Sequence, residues 1–178
     1  QISHAPASTL QLDETIAQIW HDWQAQDPVQ RRAVVMLDTQ ATQVEFDGEH
    51  LRRVLVNLLD NALRYMGPEL DSLCITTRTS ITGQISLQVW SDGAPMDKSV
   101  ERHLFEPFFS SESRSSGLGL YICRELCERY GAQIAYQRSR LDQREGNEFY
   151  VLMASSANAP RQPVQQSLSY PPGDSIPS

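Results

Sequence analysis

The stretch Leu51–Met66, LRRVLVNLLDNALRYM, constrains this chain more than any other, because one helix there carries a row of polar amides. Leu51, Val54, Leu55, Leu58 and Ala62 recur at helical spacing, so they form a stripe that must bury itself against another element. Asn57 and Asn61 lie four residues apart and project from one side; Arg53 and Arg64 extend that side by i,i+4 and i,i+3 steps. A neutral amide oxygen can ligate magnesium while a guanidinium holds a phosphate oxygen, which makes the row a candidate nucleotide site. An ordinary solvated helix face has the same residue types, and Asp60 with Arg64 has the spacing of a surface ion pair of little worth. The helix therefore does not decide alone.

With 178 residues and 40% hydrophobic content, the chain has room for one domain with a sizeable core plus a tail. Fifteen Lys plus Arg against 22 Asp plus Glu give a net charge of -7, which argues against a nucleic-acid groove and for local binding of any polyanion. No apolar run approaches the roughly 18 residues of a membrane span, and the start at Gln1 lacks a signal pattern, so a soluble, cytoplasmic fragment is expected. Cys74, Cys123 and Cys127 have no metal spacing; an odd count fits a reducing compartment, with Cys123 and Cys127 as small buried residues on a helix.

Along the chain, Leu10 to Leu12 reads as a short strand, and Asp13 opens a helix with Ile16, Ile19, Trp20 and Trp23 as its core stripe, stopped by Asp27-Pro28. Arg32–Leu37 and Gln43–Phe46 read as strands, and Asp47-Gly48 leads into the asparagine helix, which Pro68 ends. Leu73–Thr79 and Gln84–Trp90 form a hairpin through Ile81-Thr82-Gly83. Residues 91–116 read as a lid-like loop with one short helix near Val100–Leu104. Leu118–Tyr130 is a helix closed by Gly131, and Ile134–Gln137 and Phe149–Met153 are the last strands. From Ser155 onward the composition is too polar to order itself, so 155–178 is expected to be a disordered tail.

Three further constellations carry chemistry. Ser115-Ser116-Gly117-Leu118-Gly119-Leu120 opens a helix, where glycines allow close backbone approach and unpaired N–H groups favour a phosphate. Ser91-Asp92-Gly93-Ala94-Pro95-Met96 follows a strand, and an acid beside a glycine there suits an exocyclic amine and a flat ring, or is a plain turn. Leu104-Phe105-Glu106-Pro107-Phe108-Phe109 is an aromatic patch that pins a loop onto the body.

In this order, the motifs resemble the ATP-binding domain of sensor histidine kinases in the GHKL superfamily, over about Leu10 to Met153. NLLDNALRY resembles the family's asparagine box, SDGAPM its first glycine box, LFEPFF its phenylalanine box and SSGLGLYICREL its second glycine box. The last two look most like the subgroup of pilin-regulating and nitrogen-regulating sensor kinases. The resemblance implies an α/β (α+β) two-layer sandwich of the Bergerat type, a mixed sheet with helices on one face. Residues 1–9 would be a linker from an absent dimerisation domain, and 10–154 the catalytic domain.

It further implies that Asn61 ligates the magnesium bridging the ATP phosphates and that Asn57 supports it. Arg53 and Arg64 would serve the phosphates, Tyr65 would pack near the adenine, and Ser91, Asp92, Gly93, Pro95 and Met96 would line the adenine end. Phe108, Arg114, Ser116, Gly117, Leu118, Gly119 and Leu120 complete the implied ATP site. Two departures stand out: Ser91 takes the place of the adenine-reading aspartate, with Asp92 one residue late, and Pro95 takes the place of a glycine. Ser115 likewise replaces the first glycine of the second glycine box. A serine accepts a hydrogen bond less strongly than a carboxylate, so weaker ATP binding or altered base discrimination is expected.

The implied reaction is γ-phosphoryl transfer from Mg-ATP to a histidine on a separate dimerisation domain, and then to a response regulator. The parent would be a homodimer at the inner face of the bacterial cell membrane. His4, His21, His50 and His103 lack the phosphoacceptor pattern, so that histidine is expected elsewhere. Alternatives are a degenerate module that senses nucleotide or docks proteins, and another GHKL ATPase, which the FEPFF patch disfavours.

Overall fold

A computed structural model describes residues 8–109 and 118–156. Its elements run β1 (Thr9–Gln11), α1 (Leu12–Ala25), β2 (Val34–Asp38), β3 (Gln43–Glu45), α2 (Gly48–Tyr65), β4 (Leu73–Thr79) and β5 (Gln84–Ser91), then α3 (Lys98–Arg102), α4 (Gly119–Arg129), β6 (Gln133–Leu141) and β7 (Arg144–Ala154). Five strands form one mixed sheet in the order β2-β4-β5-β7-β6, with β2 parallel to β4 and the other pairs antiparallel. β1 and β3 make a separate antiparallel ribbon. The fold is the expected two-layer arrangement.

Period-two alternation on the strands and helical stripes on α1, α2 and α4 meet in one core. Ile85, Leu87 and Val89 on β5 and Phe149, Val151 and Met153 on β7 are buried with Ile16, Ile19 and Trp23 of α1 and Leu51, Leu55 and Leu58 of α2. Each such side chain contributes about 1.5–3 kcal/mol on burial. Cys123 and Cys127 of α4 are buried in the same core, as expected.

Polar lashings fix the helix starts. The Asp47 carboxylate accepts the backbone N–H groups of Glu49 and His50, each at 3.0 Å, which caps α2. Asp13, in the first turn of α1, accepts from the Thr39 N–H at 2.9 Å, from the Thr39 hydroxyl, and from the Thr77 hydroxyl at 2.8 Å. That ties α1 to the β2–β4 edge.

The last hairpin is longer than the sequence reading. Asp142 and Gln143 take φ of 47° and 67°, the left-handed pair that joins twisted antiparallel strands tightly. Its polar and charged arms, Arg138–Leu141 and Arg144–Glu148, lack the apolar alternation that marks a strand, so pairing alone reveals them. Among the described residues, no helix is long and apolar enough to cross a membrane.

Candidate nucleotide site

Between α2, the start of α4 and one end of the sheet lies a cavity of about 390 Å³. Asn57, Asp60, Asn61, Arg64 and Tyr65 line it from α2, Gly119 and Leu120 from α4, and Asn147 from β7. The segment after β5 closes the opposite side with Ala94, Pro95, Met96, Asp97, Val100, Leu104 and Phe109.

At the helix end the polar groups are lightly engaged. The Asn57 amide donates to the Gly119 carbonyl at 3.5 Å, a long contact that holds the two helix segments together. A Cβ at Gly119 would sit 3.7 Å from Asn57 Oδ1, so the α4 backbone reaches the asparagine row at van der Waals range. Asp60 is not paired with Arg64: its Oδ1 accepts the Trp23 indole N–H at 2.8 Å, anchoring α2 to α1. Beneath the row, Cys123 Sγ lies 3.7 Å from the Val54 carbonyl, and burial pushes its thiol up to about 12.

At the sheet end the groups are tightly engaged. Asn147 is 4% exposed; its Nδ2 donates to the Ala94 carbonyl at 2.9 Å, and its Oδ1 accepts from the Tyr136 hydroxyl at 2.5 Å and Arg138 Nη1 at 3.2 Å. Arg138 Nη1 also donates to the Gly93 carbonyl at 2.7 Å. Burial, and secondarily the charge of Glu101, raises the Tyr136 hydroxyl above its ordinary range, which keeps it a donor. Gly93 is packed closely: a Cβ there would meet the Tyr65 carbonyl at 3.0 Å and Asn147 Nδ2 at 3.2 Å.

The structure brings together Asn57, Asn61, Arg64, Tyr65, Pro95, Met96, Gly119 and Leu120 of the residues singled out in the sequence. Three of the others need correction. Arg53 is exposed and off the lining, because it sits one turn, about 6 Å, nearer the helix start than Asn57. Asp92 is also off the lining: its carboxylate accepts the Gly67 N–H at 2.8 Å, the Ser72 hydroxyl at 2.9 Å and Arg144 Nη1 at 3.0 Å. It fixes the turn from outside the cavity. Phe108 is 79% exposed with φ of 61°, and that backbone turn places the next ring, Phe109, on the lining instead.

Ser91 and Gly93 lie behind the lining, and Leu118 precedes it. Arg114, Ser116 and Gly117 lie outside the described residues. Sequence reasoning missed Asn147 and Phe109, together with the cavity role of Asp60. Only pairing of β7 beside β5 would have pointed to Asn147, which stands opposite Ser91.

A two-layer sandwich with an amide-bearing helix over a cleft at one sheet end defines an ATP-binding domain of the histidine kinase type. The chain belongs to the histidine kinase-, DNA gyrase B- and HSP90-like ATPase family, which matches residues 46–156. It is 39% identical over 101 residues to the sensor protein kinase PilS of Pseudomonas aeruginosa, covering 53% of this chain and 18% of PilS. It is 28% identical over 145 residues to the adaptive-response sensory kinase SasA of Synechococcus elongatus, covering 80% of this chain and 36% of SasA. The chain thus spans well under half the length of these curated relatives. Among solved structures, the nucleotide-free catalytic domain of histidine kinase ThkA superposes with a TM-score of 0.71 at 26% identity, covering 84% of this chain and 96% of that one. The mycobacterial sensor histidine kinase MprB shares the fold, with a TM-score of 0.71 at 20% identity.

Proposed function

We propose that the domain binds ATP with magnesium in this cleft and passes the γ-phosphoryl group to a histidine on a separate dimerisation domain of its parent protein. One observation carries the reading: the cavity gathers Asn57, Asn61 and Arg64 on α2 against the first residues of α4. Arg64 would hold phosphate oxygens, and the amides at the α4 start would face their charge. The flat Tyr65 ring and Met96 would flank the base.

The donor set fits magnesium bound largely through the nucleotide. Among the described residues no cluster of three or more His, Cys, Asp or Glu could hold a metal by itself. The asparagine amide oxygens and the Asp60 carboxylate are hard oxygen donors, and magnesium commonly takes one or two protein ligands beside phosphates and water. Asn61 would be the ligand and Asn57 its support. When bound, the ion would neutralise phosphate charge; the chain's own residues position the nucleotide and exclude water.

The relatives' names support the rest of the pathway. ThkA has been solved in complex with the response regulator protein TrrA, which supports a response regulator as the downstream partner here. A dimeric, membrane-anchored parent belongs to the same proposal and rests on the resemblance to sensor histidine kinases alone. Ser91, where the resemblance expects a carboxylate, favours a second reading, a nucleotide-sensing module without turnover.

Incubation of the chain with labelled ATP and a histidine-bearing dimerisation domain separates the two. Acid-labile, base-stable label on the added domain, lost with Asn61→Ala, is the expected result. Nucleotide binding with no transfer would establish the second reading.

A further inference from the structure

Four residues form a row across one end of the sheet: Leu73 pairs with Ser91, Ser91 with Asn147, and Asn147 with Arg138. Directly paired residues point to the same face, so Ser91 and Arg138 share the side on which Asn147 lines the cleft. A guanidinium only donates, which settles how the Asn147 amide is turned: the atom 3.2 Å from Arg138 Nη1 must be the oxygen. The Tyr136 hydroxyl takes that oxygen's other lone pair. Nδ2 spends one proton on the Ala94 carbonyl, so what Asn147 has left for a ligand is an N–H. Behind it, Arg138 Nε is a buried donor with no partner among the described residues.

Among the described residues no carboxylate accepts a hydrogen bond from Asn147, Arg138 or Tyr136; Glu101 acts on Tyr136 through its charge alone. Asp92 is occupied by Gly67, Ser72 and Arg144 away from the lining, and Asp60 is held on α2 by Trp23. Asp97 lies at the exposed rim, beyond Met96. The Ser91 hydroxyl donates or accepts with equal ease and has no charge to offer. An exocyclic amine brought to this end meets donors, whereas a ring carbonyl meets an unspent N–H.

We propose that the sheet end of the cleft selects a purine with an oxo group at position 6, so that 6-oxopurine triphosphates bind at least as tightly as ATP, with Asn147 the specificity-determining residue. The proposal rests on the nucleotide-binding reading and deepens it. ATP would find only the uncharged Ser91 hydroxyl as acceptor for its amine here, and a poorly met polar group in a closed site weakens binding by about tenfold.

Calorimetric titration of the whole chain with ATP and with inosine triphosphate, at matched magnesium, tests it, because the two ligands differ at position 6 and in the N1 proton that goes with the oxo group. The expected result is inosine triphosphate binding equal to or tighter than ATP. Ser91→Asp and Asn147→Asp, each placing a carboxylate in the row, should both move the ratio about tenfold towards ATP. Because both ligands are measured on the same variant, partial loss of folded protein cancels from the ratio. A parent chain that binds ATP more tightly than inosine triphosphate overturns the inference and leaves the nucleotide reading intact. Failure of both triphosphates to bind overturns both.

Discussion

The two ends of the cleft are built in opposite ways. The helix end takes its polar groups from consecutive turns of α2, and one capping carboxylate, Asp47, starts the whole row. The sheet end joins residues 45 to 53 positions apart, Arg138 with Gly93 and Asn147 with Ala94, and its bonds fix the Asn147 amide while leaving one of its N–H groups and Arg138 Nε unspent. A local helix presents ligating groups with little help from the rest of the chain, whereas the sheet end depends on strand register for its chemistry. Damage to register should therefore reach base recognition before it reaches the asparagine row.

Gly146→Ala should have the largest effect. A Cβ there would lie 2.3 Å from the Ser91 carbonyl and 2.5 Å from the Trp90 ring, so the β5–β7 pairing must shift. Because the obstacle includes backbone, a loss of about 3 kcal/mol is expected in urea unfolding. If residual binding survives, base discrimination should fall more than magnesium dependence.

Asp92→Ala comes next. It leaves the Gly67 N–H, the Ser72 hydroxyl and Arg144 without their shared acceptor, at a cost of about 2 kcal/mol. Thiol alkylation localises the damage: Cys74, on β4 beside Asp71 and Arg144, should react faster in the variant while Cys123 under α2 keeps its parent rate. Equal acceleration at both cysteines would show that the ends are not independent.

The third effect, a pH dependence, is negligible near neutral pH. Burial raises Cys74 to about 11 and Cys123 and Cys127 to about 12, from 9.0. Above pH 9 the unfolded chain loses these protons while the folded chain keeps them, so stability present below pH 9 is lost as pH rises towards 11 to 12. Unfolding midpoints measured from pH 7 to 11 should fall only in the upper part of that range, and less steeply in a Cys74→Ala, Cys123→Ala, Cys127→Ala variant.

This contrast also explains what could be read from the amino-acid order. The asparagine helix, α1, the β4–β5 hairpin and α4 all announce themselves through local periodicity and caps, and the structure has each of them. The parallel pairing of β2 with β4, rather than with its sequence neighbour β3, carries no local signal. Asp92 looked like a base-reading acid because an Asp-Gly pair after a strand suits that role; its partners Ser72 and Arg144 come from other strands' ends and turn it into a clamp. Asn147 sits in a polar run without alternation, so only its pairing with Ser91 and Arg138 shows that it faces the cleft. Arg53 misled because angular position on a helix says nothing about where along its axis the cavity ends.

The account stands on a nucleotide seated with its phosphates against the α2 amides. Titration of ATP into the parent chain and into Asn61→Ala, with and without magnesium, tests this most directly. The parent should bind ATP more tightly when magnesium is present, and the variant should lose that gain, on the order of tenfold to a hundredfold. The same magnesium dependence in both proteins would contradict it.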